Sequence, residues 1–297
     1  MNNMDYTLNI KGRLFSLKEP VVMGILNCTP DSFFAGSRKQ TEKEIADRAN
    51  EIVAQGGKIV DVGAFSTRPG ADEVSEEEEM RRLRHALPVV RREQPDILVS
   101  VDTYRPEVAR MAVEEYGADI INDVSEGGIT GIVDKPLEEH YDVDAKTDDK
   151  FEDYPPIFRM MGRLKVPYIL MSVQGNLHDM LINFSKEVQQ LRDLHVKDII
   201  LDPGYGFGKT QEENFTILRE QRKLEVMELP ILAGLSRKRL IWKTLGITAD
   251  EALNGTTVVN TLALLNGASI LRVHDVREAV QAVRIVRAYN TSLTPGI

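Results

Sequence analysis

Beyond a short opening segment, the chain repeats one pattern: a brief, unbroken apolar run, a polar loop, then a stretch with helical spacing. The apolar runs are VVMGIL from Val21, KIVDVG from Lys58, ILVSV from Ile97, ADII from Ala118, PYILM from Pro167, DIIL from Asp198, PILAG from Pro230 and ASILRV from Ala268. Each is too short and too continuous for an amphipathic helix. Apolar side chains at consecutive positions are buried on both faces, which is the habit of a strand in a parallel sheet. Residues 47–55 and 80–92 carry apolar positions at helical spacing. Thr41-Glu42-Lys43-Glu44 and Ser75-Glu76-Glu77-Glu78 fit the capping box, in which a hydroxyl and a carboxylate satisfy free amides at a helix start. Eight strands alternating with helices predict an α/β fold, a (β/α)8 TIM barrel. A doubly wound open sheet is the alternative for the same alternation.

Two segments stand outside this rhythm. Residues 6–10 and 13–17 alternate apolar and polar around Lys11-Gly12, which predicts an N-terminal β-hairpin within residues 1–20. Residues 126–156, after the fourth strand, are acidic with weak periodicity. They are expected to be a mobile, solvated insertion, or a partial lid, since loops of this length are usually functional or disordered. No linker composition divides the chain, so residues 1–297 read as one barrel domain, and the final TSLTPGI as loose.

Composition narrows the setting. The 297 residues exceed the roughly 250 typical of such a barrel, leaving room for the hairpin and the insertion. A net charge of −9 with no basic tract argues against nucleic acid, which needs clustered cations to displace counterions. Cys28 is the one cysteine, so no intrachain disulfide forms, which fits a reducing, cytoplasmic setting. The N-terminus lacks the signature of a secretory signal, and no apolar run approaches the ~20 residues that span a bilayer.

In β/α barrels the chemistry sits where strands end. Here those ends carry Asn27, then Gly63 and the loop AFSTRPG, then Asp102, Asn122-Asp123, Ser172 and Gln174, Asp202, Ser236-Arg237-Lys238, and Arg272 with His274. Any one of these could be a helix cap. Together, Asp102, Asn122, Asp202 and Lys238 form a ring of acceptors and donors suited to a flat polar heterocycle. Arg68, Arg272 and His274 supply cations on the same face, suited to a phosphate or diphosphate. GYGFGKT imitates a P-loop, but Pro203 stands where the first glycine belongs, so its glycines are expected to let backbone approach a ligand. The run Glu76–Glu79 favours a helix dipole rather than a metal. Cys28 is expected to be a packed thiol, and Trp242 and the apolar positions of Leu253–Leu265 to be helix packing.

The strings GILNCTPDSF (24–33), STRPG (66–70), SVDTYRPEVA (100–109), INDVS (121–125), ILDPGYGFGK (200–209), LAGLSRK (232–238) and RVHDVREA (272–279) occur in order at successive strand ends. Over residues 5–291 the chain therefore resembles the dihydropteroate synthase family of folate biosynthesis. The resemblance implies a transferase that condenses 6-hydroxymethyl-7,8-dihydropterin diphosphate with p-aminobenzoate, releasing pyrophosphate by an SN1-like displacement. It implies catalytic roles for Lys238, Asp102, Asp202 and Arg68. Asp102, Asn122, Asp202 and Lys238 would hold the pterin, Arg272, His274 and Arg68 the diphosphate, and Asn27 the Mg2+ ion. Ser236 would meet the carboxylate of p-aminobenzoate, with Thr67, Pro69, Phe33 and Phe207 shaping its slot. Asp31 and Arg68 would lie on two loops, 28–38 and 63–72, that order over the substrates. Arg272→Ala or His274→Ala is then expected to weaken diphosphate binding more than pterin binding.

The resemblance further implies a homodimer through the last helices, with Ala279, Val283, Val286 and Ala288 as the apolar face. The chain departs from the family pattern at Ala64-Phe65, where many members have Gly-Glu, at Ser172, where many have His, at Cys28, and in the length of 126–156. These departures bear on sulfonamide sensitivity and fine selectivity. A non-catalytic pterin-binding homologue and a pterin-dependent methyltransferase are the alternative readings. The first would have shed the loop and diphosphate residues, and the second has no use for them.

Overall fold

The computed structural model describes residues 5–28, 38–65, 74–128 and 151–292. Strands β3 (Val21–Asn27), β4 (Ile59–Gly63), β5 (Leu98–Asp102), β6 (Ile120–Asp123), β7 (Tyr168–Met171), β8 (Ile199–Asp202), β9 (Ile231–Ala233) and β10 (Ala268–Val273) close into a parallel barrel in that order, with β10 pairing β3. The eight apolar runs are therefore the eight barrel strands, and closure excludes the open sheet. The predicted hairpin is β1 (Thr7–Ile10) paired antiparallel with β2 (Arg13–Ser16). Lys11 and Gly12 make its turn at φ 51° and 84°.

The two-residue alternation of a strand sorts the barrel interior into layers. The lower layer is apolar: Met23, Ile59, Ile120, Ile169, Ile200, Leu232 and Ile270 pack with Leu8, Ile10 and Leu17 of the hairpin segment. The hairpin thus plugs the N-terminal mouth. The Asn9 amide donates to Asp198 at 2.8 Å, and the Lys11 ammonium to Asp119 at 2.6 Å. Two residues further along the same strands the inward positions become Asp61, Asn122, Met171, Asp202 and Arg272. A polar floor therefore faces the C-terminal mouth. The outward positions join the larger core under the helices, including Val60, Val62, Val101, Ile121, Leu170 and Leu201.

The helix starts differ from expectation in instructive ways. Helix α1 (Arg38–Ala54) begins before Thr41, so the predicted capping box lies inside the helix. Helix α2 (Glu76–Glu93) does start at Ser75, whose hydroxyl accepts from the Glu78 amide at 3.3 Å. The Glu78 carboxylate does not return the bond and pairs instead with Arg81 and Arg82, at 2.7 and 2.8 Å. The complete box is at helix α6 (Gln211–Glu220), between Thr210 and Glu213. The remaining helices are α3 (Pro106–Glu114), α4 (Pro156–Leu164), α5 (Leu177–Asp193), α7 (Arg239–Leu245), α8 (Leu253–Leu265) and α9 (Val276–Ser292), with a 3-10 turn at Gln221–Met227. Most of the acidic insertion, 129–150, lies outside the described residues, and its last residue, Pro156, opens α4.

The apolar face assigned to a dimer is corrected. Ala279 and Val286 are buried in the chain's own core and Val283 packs against it, leaving only Ala288 exposed. Cys28 is buried in the core and its thiol is pushed up to about 12 by desolvation, which makes it unreactive. Trp242 packs against the same core. No helix among the described residues is long and apolar enough to cross a membrane.

Candidate active site

The C-terminal mouth gathers the expected pterin-holding residues and one that the strand-end reading missed. Asp61 lies in the middle of β4, fully buried, with its side chain turned to the barrel axis. Its Oδ2 accepts from Arg272 Nε at 2.6 Å and from the Asn122 amide at 3.2 Å. Arg272 Nη2 reaches Asp102 Oδ2 at 2.8 Å. One guanidinium thus ties two carboxylates from neighbouring strands, and the Asn122 amide joins the network. A lone carboxylate within a doubly buried apolar strand, as in KIVDVG, was the available signal. Burying an ion is costly unless it is paired or has work to do.

Three buried oxygens of this floor, Asp61 Oδ1, Asp102 Oδ1 and Asn122 Oδ1, accept no hydrogen bond among the described residues. Each unfilled buried acceptor costs about 1–3 kcal/mol. Three together make a surface waiting for donors, as ring N–H and amino groups would provide.

Lys238 stands on the opposite wall. Its ammonium donates to the Tyr205 carbonyl and lies 4.6 Å from the centroid of the Phe207 ring. Burial pulls its pKa down to about 7 against the attraction of Asp202. Burial likewise pushes Asp102 up to about 7, with Asp61 adding and Arg272 opposing, and raises Asp202 against Lys238. Arg272 remains a cation: Asp61 and Asp102 outweigh its burial and raise it above its ordinary value. Asp102 and Lys238 therefore both titrate near neutrality.

The turn after β9 presents Ser236 and Lys238 by placing Arg237 between them in the left-handed region, at φ 55°. That geometry is held from outside. Arg237 pairs with both oxygens of Asp275 at 2.9 Å, and its amide donates to Thr256 Oγ1 at 3.0 Å. Ser236 Oγ lies 3.0 Å from His274 Nδ1 and accepts from the His274 amide at 3.1 Å. His274 was expected to be a cation. Burial, aided by the charge of Arg272, pulls its imidazole down to about 4, so at neutral pH it is a neutral hydrogen-bonding group.

The glycines of the loop after β8 admit close neighbours within the chain, and the loop's lysine explains the false P-loop. A Cβ at Gly204 would lie 2.0 Å from the Ser172 carbonyl, and one at Gly206 would lie 3.1 Å from the Lys238 side chain. Lys209 turns away from the mouth and donates to the carbonyls of Ser172, Gly204 and Phe207 at 2.8, 2.9 and 3.2 Å. It staples the loop to β7 instead of holding a phosphate. Ser172 is buried in the layer outside the barrel, its hydroxyl on Glu126 at 3.2 Å. Phe65 sets its ring edge-to-face on Tyr104 at 5.6 Å.

Asn27 ends β3 on the exposed rim beside Gly63, where an added Cβ would sit 3.3 Å from Asn27 Oδ1 and 3.7 Å from Asp102 Cβ. The described residues contain no cluster of three or more His, Cys, Asp or Glu side chains able to cage a metal. One amide oxygen on an open rim suits a hard cation that keeps its waters and shares substrate phosphates, which is the habit of Mg2+. Phe33, Asp31, Thr67, Arg68 and Pro69 lie outside the described residues.

The family described as pterin binding enzyme matches residues 23–274. The chain is 35% identical to a dihydropteroate synthase of Escherichia coli (strain K12), over 94% of each chain. It superposes on a Xanthomonas albilineans dihydropteroate synthase with 4-aminobenzoic acid at a TM-score of 0.78 and 32% identity, covering 98% of this chain and all of that one. A Yersinia pestis dihydropteroate synthase in a sulfonamide drug complex gives 0.79 and 30%, covering 96% of this chain and all of that one.

Proposed function

The chain belongs to the pterin binding enzyme family, and from this premise we propose that it acts as a dihydropteroate synthase, joining a dihydropterin diphosphate to p-aminobenzoate. The observation that carries the reading is the set of free buried oxygens on Asp61, Asp102 and Asn122, facing Lys238 across the mouth. The aminopyrimidine edge of a pterin offers ring N–H and amino donors to these acceptors, and Lys238 can donate to a ring carbonyl or nitrogen. Arg272 holds the floor together beneath the ring. Its remaining N–H groups and the neutral His274 would face the leaving diphosphate, and Arg68 would join them. This revises the expected division of labour: Arg272 serves the pterin end as much as the diphosphate end, because its Nε and Nη2 are engaged by the floor carboxylates.

In the reaction the exocyclic carbon–oxygen bond breaks and its electron pair leaves on pyrophosphate. The electron-rich dihydropterin stabilises the positive charge left on the methylene. The aniline nitrogen of p-aminobenzoate then forms the new bond and passes its proton to the released pyrophosphate or to water. No strong base is required, which accords with a mouth built of hydrogen-bonding and charge-holding groups. Mg2+, held at Asn27, would neutralise charge on the departing diphosphate. Phe207, set against Lys238, would flank the p-aminobenzoate ring with Phe33, Thr67 and Pro69, and Ser236 would receive its carboxylate.

Purified protein supplied with dihydropterin diphosphate, p-aminobenzoate and Mg2+ should release dihydropteroate, followed by chromatography, and EDTA should stop it. Pyrophosphate with Mg2+ should also raise the melting temperature, since a ligand at 100 times its Kd stabilises the native state by about 2.7 kcal/mol. Pterin binding without product would reduce the chain to a non-catalytic homologue.

For the quaternary state we propose a second copy of this chain as partner, docked on α8 and α9. Val258 and Leu262 on α8, and Ile285 and Tyr289 on α9, are each one helical turn apart and exposed by 54%, 43%, 69% and 54%. Leu262→Glu should convert a dimer to a monomer in light scattering, and an unchanged mass would refute this contact.

A further inference from the structure

The backbone ladder between β10 and β3 ends at Val273 opposite Gly24. One rung higher, a side chain from α1 takes over. Arg48 Nε donates to the Ile25 carbonyl at 3.1 Å and Nη2 to the His274 carbonyl at 2.6 Å, while Nη1 pairs with Glu51 at 2.7 Å. The planar fork therefore bridges the two strand ends just beyond the last paired rung. These are the ends that carry Asn27 on one side and Arg272 and His274 on the other. His274 is gripped on its other groups by Ser236, through both the amide and Nδ1. The next residue, Asp275, is held by Arg237. Arg48 supplies the partner for the one remaining backbone group, the carbonyl.

We propose that Arg48 is a positioning residue: it joins the rims of β3 and β10 so that His274 meets the anionic end of the substrate in a single orientation. The inference deepens the reading of this mouth as a diphosphate site and rests on it. The physical argument is one of freedom. A strand end beyond the last ladder rung is free to shift as a whole, and a shift of the β10 end would carry the imidazole off Ser236. A guanidinium fixes both carbonyls because its donors lie in one rigid plane, whereas an ammonium on a flexible stem can satisfy only one of them well. Arg48 also places positive charge behind His274, with Arg272 and Arg237, against Asp275, which favours the neutral imidazole.

The test compares Arg48→Met, Arg48→Lys and Glu51→Gln with the parent protein. It uses calorimetry with Mg2+-pyrophosphate, calorimetry with a pterin lacking the diphosphate, and NMR titration of the five histidines assigned through His274→Gln. Arg48→Met should weaken pyrophosphate about tenfold, the scale seen when an outer partner of a ligand-holding group is removed. Pterin affinity should be kept and the His274 titration should move upward. Arg48→Lys should fall between, and it covers the case in which the methionine variant does not fold. Glu51→Gln, which spares both carbonyl contacts, should change nothing. A lower melting temperature with pyrophosphate affinity and the His274 titration both unaltered would overturn the proposal and leave Arg48 a structural residue. If the parent protein binds no pyrophosphate, the diphosphate reading falls, and the His274 titration alone judges Arg48.

Discussion

Lys238→Ala should slow dihydropteroate formation by roughly a hundredfold to a thousandfold while the barrel stays folded. The magnitude follows from two losses: a charge-assisted hydrogen bond to the heterocycle, about 1.5–3 kcal/mol, and the group it would leave unpaired in the buried site, about 1–3 kcal/mol. The ammonium is in place before substrate arrives, 4.6 Å from the centroid of the Phe207 ring. The loss also removes the cation that opposes the raised pKa of Asp202. Without that cation the charged form of Asp202 is favoured less, which weakens it as an acceptor for a pterin N–H, so Kd for the pterin should rise together with the fall in kcat/KM. The fold should survive because Asp202 keeps the Gly204 amide at 2.7 Å and Lys209 keeps its three carbonyls. Steady-state kinetics with matched circular dichroism spectra check this. A kcat/KM within about fivefold of the parent would remove Lys238 from the site, since a lost transition-state contact must appear there.

Arg272→Met should lower stability more than any other single change at the mouth, and by an amount that depends on pH. The guanidinium is the shared partner of Asp61 and Asp102, and removing one partner of a buried ion pair costs about 3–5 kcal/mol. For a protein of this size that is on the order of 10 °C in melting temperature. The sign with pH follows from Asp102. Its folded pKa, about 7, lies above the ordinary carboxylate value of 3.8, so the native state binds more protons than the unfolded chain between those values. Stability from this group is present in full below the lower value and is lost as pH rises through the upper one. Arg272 opposes the shift, so its removal enlarges it. The variant should come closest to the parent near pH 5, where a proton on one carboxylate replaces the lost cation, and be weakest near pH 8. Calorimetric melting at both pH values tests this, and a deficit that is the same at both would show that Asp102 does not feel Arg272.

The barrel was legible in the chain because strands buried on both faces are apolar at nearly every position, so each of the eight runs announced itself. The hairpin was legible through its two-residue alternation around a turn that needs positive φ. The candidate site was legible where a polar residue ends an apolar run, as at Asn27, Asp102, Asn122, Asp202, Lys238 and Arg272. Asp61 escaped that reading because it interrupts a run instead of ending it. Its purpose depends on which strands lie beside it, and pairing is a property of the closed sheet. The capping box at Thr41 was misleading for a related reason: local sequence offers several helix starts, and tertiary packing selects among them.

What the sequence alone determined, then, is the alternation of elements and the chemical kinds gathered at the strand ends. Only the tertiary structure decided how those groups are used. It set Arg272 between two carboxylates, made His274 neutral by burying it near another cation, turned Lys209 into a staple, and buried most of the α9 face that the resemblance assigned to a dimer. Charge state and pairing depend on distances and desolvation between residues far apart in the chain. Arg48 and His274, 226 positions apart, meet at a carbonyl that local pattern gives no reason to connect.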